Sequence, residues 1–63
     1  MYKLSLGVIE ENYPDLDQAM EDCFLLFPDA DFSNWNEDNN STWMDIYENN
    51  KTSLIIGTIQ EVI

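Results

Sequence analysis

There is no arginine and no histidine in this chain, and its only cationic side chains are Lys3 and Lys51. The missing histidine removes the usual base for a serine or cysteine nucleophile, which closes that class of catalysis. Too few cations remain to hold phosphates, and the only glycines, Gly7 and Gly57, stand alone in predicted strands rather than in a phosphate-cradling loop. Nucleotide binding and phosphoryl transfer close with them. The single cysteine, Cys23, permits no internal disulfide. It falls in an apolar helical stripe with no positive charge nearby to favour a thiolate, and it reads as a small buried hydrophobe. No apolar run reaches bilayer-spanning length, and the start Met1-Tyr2-Lys3-Leu4 lacks the apolar stretch of a secretory leader. A reducing, cytoplasmic setting is the expectation. In that setting the glycosylation sequons at Asn39, Asn40 and Asn50 carry no meaning.

What the chain has in excess is acid. Thirteen Asp and Glu residues face two lysines, for a formal net charge of −11 over 63 residues. Self-repulsion at that charge opposes compaction, and two cations can neutralise few of the carboxylates. Direct binding of nucleic acid or of an anionic membrane surface is excluded, and basic proteins or metal cations are the natural partners. The hydrophobic content of 44%, with 13% aromatic residues, is too high for a disordered acidic tail. A single small folded domain over residues 1–63 is expected, close to the size at which one core only just offsets chain entropy.

Hydrophobic periodicity lays out the elements. Tyr2, Leu4, Leu6 and Val8 alternate with polar residues and predict a strand from Tyr2 to Ile9. Glu10 to Pro14 breaks the pattern. Asp15, with Gln18 three residues on, resembles a capping box that opens a helix running to about Phe27. Leu16, Ala19, Met20, Cys23, Phe24 and Phe27 share one face of it, and Pro28 supplies the stop. From Pro28 to Asn40 the chain reads as a long acidic loop pinned by Phe32 and Trp35, with room for a short extra turn of helix or strand. Thr42–Glu48 and Thr52–Val62 predict a β-hairpin across Glu48-Asn49-Asn50-Lys51, where asparagine would take positive φ. The last strand carries Leu54, Ile56 and Val62 on one face and Ile55, Ile59 and Ile63 on the other, which places it centrally. The expected fold is α+β, in the order β-α-β-β: a three-stranded antiparallel sheet, order 1-3-2, with one helix packed on one face.

Two functional surfaces follow from that plan. A helix covering one face would leave Trp43, Tyr47, Ile55 and Ile59 on the other, a candidate homodimer face or docking surface unless the long loop folds over it. The second surface is acidic. Asp17 and Glu21 fall on one outer flank of the helix, and Asp15 and Asp22 on the other. Asp29 and Asp31 follow the helix C-terminus, where its dipole disfavours negative charge. Glu37 and Asp38 extend the surface along the loop, and Trp35, Trp43 and Tyr47 are candidate aromatic anchors, unless the two tryptophans belong to the core. Like charges at Asp17 and Glu21, four apart, weaken a helix and point to a use elsewhere. Asp29, Asp31, Glu37 and Asp38 also suggest calcium, but an EF-hand loop begun at Asp29 puts Asn34 where glycine is needed and Asn40 where the bidentate glutamate belongs. Paired carboxylates of the glycosidase kind need a cleft that a chain of this length can hardly build. No enzyme activity, cofactor or metal is expected.

A compact chain of this length is roughly 27 Å across, a span over which duplex DNA presents about 16 phosphates. Thirteen carboxylates are of that order. In size, charge and scarcity of cations the chain is similar to the small inhibitors with which bacteriophages block host defence and repair proteins: anti-CRISPR, anti-restriction and uracil-glycosylase inhibitor proteins. Those families share no motif, so the resemblance transfers no residue. It implies a non-catalytic inhibitor that mimics DNA or RNA and binds a basic nucleic-acid-handling protein such as a CRISPR effector, nuclease or repair enzyme. The alternative is a small assembly module that dimerises through the open sheet face, its charge serving only solubility.

Overall fold

A computed structural model describes residues 1–62; the predicted apolar position Ile63 lies outside them. Its seven elements are β1 (Tyr2–Leu6), β2 (Ile9–Tyr13), α1 (Leu16–Leu26), β3 (Asp31–Phe32), β4 (Asn36–Glu37), β5 (Thr42–Tyr47) and β6 (Ile55–Glu61). The strands form one antiparallel sheet in the order β2-β1-β6-β5-β3, with β4 also paired to β5. This overturns the expected three-stranded sheet. Three of the six strands lie in segments that read as a break or a loop.

The first correction falls at Gly7. Its φ of +61° lets the chain reverse between Leu6 and Ile9, which face each other in the register. A two-residue turn with positive φ only at its first central residue matches the II′ hairpin, a place for glycine. The predicted first strand therefore becomes a β1–β2 hairpin. Glu10, Glu11 and Asn12 continue as an edge strand, all exposed, with no apolar alternation to betray it.

Along the acidic segment 28–40, β3 pairs with Ile46 and Tyr47 while β4 pairs with Thr42 and Trp43. Side chains bridge the interval between them. The Asp45 N–H donates to Ser33 Oγ at 2.9 Å, and Asn36 Nδ2 donates to Asp45 Oδ2 at 3.2 Å. Ser33 N–H returns a bond to the Asp45 carbonyl at 3.0 Å. The Ser33 hydroxyl thus takes a backbone donor that a continuous partner strand would have satisfied.

β6 does lie between β1 and β5, but the reason differs from the one read in the sequence. Gly57 faces Ile46 whereas Ile55 faces Tyr47, so Ile56 is the extra residue of a bulge. A bulge switches which face the side chains take, and an apolar run then looks two-faced without being so. Ile56 packs toward the core and Ile59 is fully buried in it, while Ile55 is 50% exposed. The β5–β6 connection is also longer than a tight hairpin. No asparagine there takes positive φ. The loop closes on side chains instead, Lys51 N–H donating to Asn49 Oδ1 at 2.8 Å and Leu54 N–H to Thr52 Oγ1 at 3.1 Å.

The helix begins where expected. Asp15 is its N-cap, accepting from the Gln18 N–H at 2.9 Å. Replacing Asp15 with alanine is expected to cost about 1 kcal/mol, measurable by denaturant unfolding, whereas Asp15→Asn should cost little. Ala19 and Cys23 are buried against Leu4, Leu6, Ile46 and Ile59, and burial pushes the Cys23 thiol pKa up, as suits an inert core residue. The helix rests on β1 and β2. Phe24 meets Phe32 edge-on, with ring centroids 5.4 Å apart, which ties the helix to the far edge of the sheet.

Candidate acidic surface

Every Asp and Glu side chain is exposed except Asp45, which is half-buried within the Ser33–Asn36 network. No polar or charged residue is buried among the described residues. Within them one ion pair forms, Lys3 Nζ to Glu10 Oε1 at 3.8 Å, a solvent-exposed contact of the kind worth little. The acidic excess therefore lies almost wholly on the surface.

The predicted contact residues fall in three places. On the first, the helix and the neighbouring β2 edge, Asp15 is occupied as the cap and Asp22 accepts from Tyr13 Oη at 2.5 Å. Asp17 and Glu21 are exposed and, among the described residues, have no hydrogen-bonding or ion-pairing partner. The second place is a groove holding Asp29 and Asp31 beside Asn49, Asn50 and Lys51. At the third, Glu37 and Asp38 border a hollow with Lys3, Gln60 and Glu61. Asp38 there accepts the N–H groups of Asn40 and Ser41, each at 2.8 Å. Since Asp31 pairs with Tyr47 and Glu37 with Thr42, the last two places lie five residue steps apart along β5, about 16 Å. The loop acids are thus spread apart, and among the described residues no group of three or more His, Cys, Asp or Glu could hold a metal ion.

Tyr13 was not foreseen as part of this surface. Its phenol pKa is pushed up from 10.0 to about 12, first by its hydrogen bond to Asp22, then by burial and by the charges of Asp22 and Glu11. A raised acid pKa means that the native state favours the neutral phenol. The stabilisation is complete below pH 10 and is lost as pH climbs from 10 toward 12. Phenolate absorbance should show one tyrosine titrating near 12, and Asp22→Asn should bring it back toward 10. The only sequence clue was Tyr13 standing in a run of acids.

Trp35, 41% exposed, lies with its ring 6.3 Å from that of Tyr2. Trp43 and Tyr47 alternate with the buried Met44 and Ile46, so they stand on the face away from the helix. There the register gives them Asp45, Lys3, Ser5, Thr58 and Gln60 as company. With Ile59 in the core, that face is far more polar than the sequence led us to expect.

Compared with known protein families, curated proteins and solved structures, the chain matches none.

Proposed function

We propose that this protein is a non-catalytic ligand of a basic nucleic-acid-handling protein and occupies its substrate site in place of DNA or RNA. The observation that carries this reading is the near-complete exposure of the carboxylates, with a single ion pair among the described residues. The longest dimension of the molecule is 30 Å, over which duplex DNA presents about 18 phosphates at one charge per ~1.7 Å. The acid count, thirteen, is comparable. A surface of that density steers toward the same cationic groove and raises the association rate in a salt-dependent way. Asp17 and Glu21, free of internal partners, are the best placed to meet a cationic groove, and exposed Trp35 is the best placed aromatic anchor.

The test is capture from bacterial lysate on the immobilised protein at low salt, followed by elution in a rising salt gradient. A nuclease, polymerase, repair enzyme or CRISPR effector leaving late is the expected result. Early loss of ribosomal proteins alone, or no capture at all, would reject the proposal.

Dimerisation through the open sheet face is the second reading, supported by half-buried Trp43 and Tyr47 beside exposed Ile55. The polar neighbours on that face give it less support. Ile55→Lys is expected to leave sedimentation unchanged, and a dimer that this variant dissociates would favour assembly instead.

A further inference from the structure

Among the described residues the outer ladder of β2 is unpaired, and its phase can be read from the hydrogen bonds. The Val62 N–H donates to the Met1 carbonyl at 2.8 Å, which turns the odd-numbered backbone groups of β1 toward β6 and those of Tyr2, Leu4 and Leu6 toward β2. The two-residue turn at Gly7-Val8 gives the same phase, since the pair closing such a hairpin is hydrogen-bonded. Tyr13, Glu11 and Ile9, the register partners of Tyr2, Leu4 and Leu6, therefore face β1. The N–H and C=O groups of Glu10 and Asn12 point outward, and β2 is the last strand on its side of the sheet among the described residues.

Two features decide what could pair there. Glu10 and Glu11 lie on this strand and Asp22 is bonded to Tyr13 beside it. A second copy aligned antiparallel along the full length of β2 would set Glu11 against Glu11, which destabilises a cross-strand pair. A cationic strand meets the opposite condition. At the Ile9 end, an apolar hollow lies between Leu6, Ile9, Leu26, Phe27 and Ile56, next to Val8, whose side chain is fully exposed. It suits an apolar side chain of an incoming strand.

We infer that β2 is a docking edge for an extended basic segment of a partner protein, one that alternates lysine or arginine with β-branched residues and adds to the sheet as a further strand. Lysines would lie over Glu10 on the open face and apolar residues over Ile9 and the hollow on the helix face, with backbone pairing supplied by Glu10 and Asn12. This mode rests on the partner being basic, as proposed above.

The probe is a synthetic peptide of alternating lysine and valine, with a control N-methylated at the amides that would face Glu10 and Asn12. The first peptide is expected to slow amide hydrogen exchange at Glu10 and Asn12 at least tenfold, and the N-methylated control to lose that effect. Equal binding of the two peptides, absence of binding, or protection confined to other residues would overturn the inference. Asn12→Pro separates this failure from failure of the mimicry reading. Its missing N–H is one that points outward, so the β1–β2 ladder stays intact and the net charge is unchanged. It should abolish peptide binding while salt-sensitive capture of a basic nucleic-acid-handling protein survives. If capture is absent in both the parent and the variant while the peptide still binds the parent, mimicry fails and the docking edge stands.

Discussion

Gly57→Ala is expected to destabilise the protein by about 3 kcal/mol, at the top of the range for forcing volume into a packed site. A Cβ at this position would overlap the Ser5 carbonyl oxygen of β1 and come within 2.7 Å of Leu6 Cδ2. The leucine could rotate, but the carbonyl belongs to a strand paired along its length with β6, so the two strands would have to separate. Domains of this size are stable by roughly 3–9 kcal/mol, and such a loss approaches the whole. Gly7 provides the contrast. A Cβ there meets nothing within 4 Å, but the φ of +61° remains unfavourable for any other residue. Gly7→Ala should therefore cost only about 1–2 kcal/mol. Urea unfolding of the two variants measures the difference, and equal losses would mean that β1 and β6 are less closely packed than described.

The second large effect concerns binding. Reversing Asp17 and Glu21 together to lysine changes the net charge from −11 to −7, because each reversal adds two. The pair remains like-charged at a spacing of four, so its mutual repulsion is unchanged, and the main structural cost is a cation in the first helical turn, about 0.3–1 kcal/mol. Affinity for the captured basic partner should fall roughly 100-fold at low salt, about tenfold for each lost charge contact. The salt dependence should flatten with it, since fewer screened contacts remain. Asp17→Asn with Glu21→Gln should give a smaller loss in the same direction. Binding that ignores all four substitutions would move the contact away from the helix.

The helix was legible because three signals agreed on it: the Asp15 cap, the stripe from Leu16 to Phe27 and the stop at Pro28. β2 was not, because an edge strand exposed at Glu10, Glu11 and Asn12 has little apolar pattern to show and uses residues of low strand preference. β3 and β4, of two residues each, are too short for alternation to appear at all. Their order comes from Ser33 and Asn36 reaching Asp45, contacts between segments nine to twelve residues apart that no local pattern encodes. The bulge at Ile56 inverts the alternation of faces along β6, so a regular period of two places the interior Ile59 on an open surface. The acidic excess was plain from composition. That Asp22 would be engaged by Tyr13, while Asp17 and Glu21 stayed free, depended on where the unforeseen β2 lies.

The edge proposed for docking on β2 and the acidic surface proposed to meet a basic partner are both exposed. A thin core built from Leu4, Leu6, Ala19, Cys23, Met44, Ile46 and Ile59 requires no buried charge, so the carboxylates remain at the surface.

The most direct measurement is displacement of a labelled duplex or single strand from the captured partner as this protein is titrated in, read by fluorescence anisotropy. The expected result is complete release at near-stoichiometric protein, with Asp17→Lys/Glu21→Lys needing roughly 100-fold more. A labelled nucleic acid that stays bound while the protein also binds, forming a ternary complex, would contradict occupation of the nucleic-acid site.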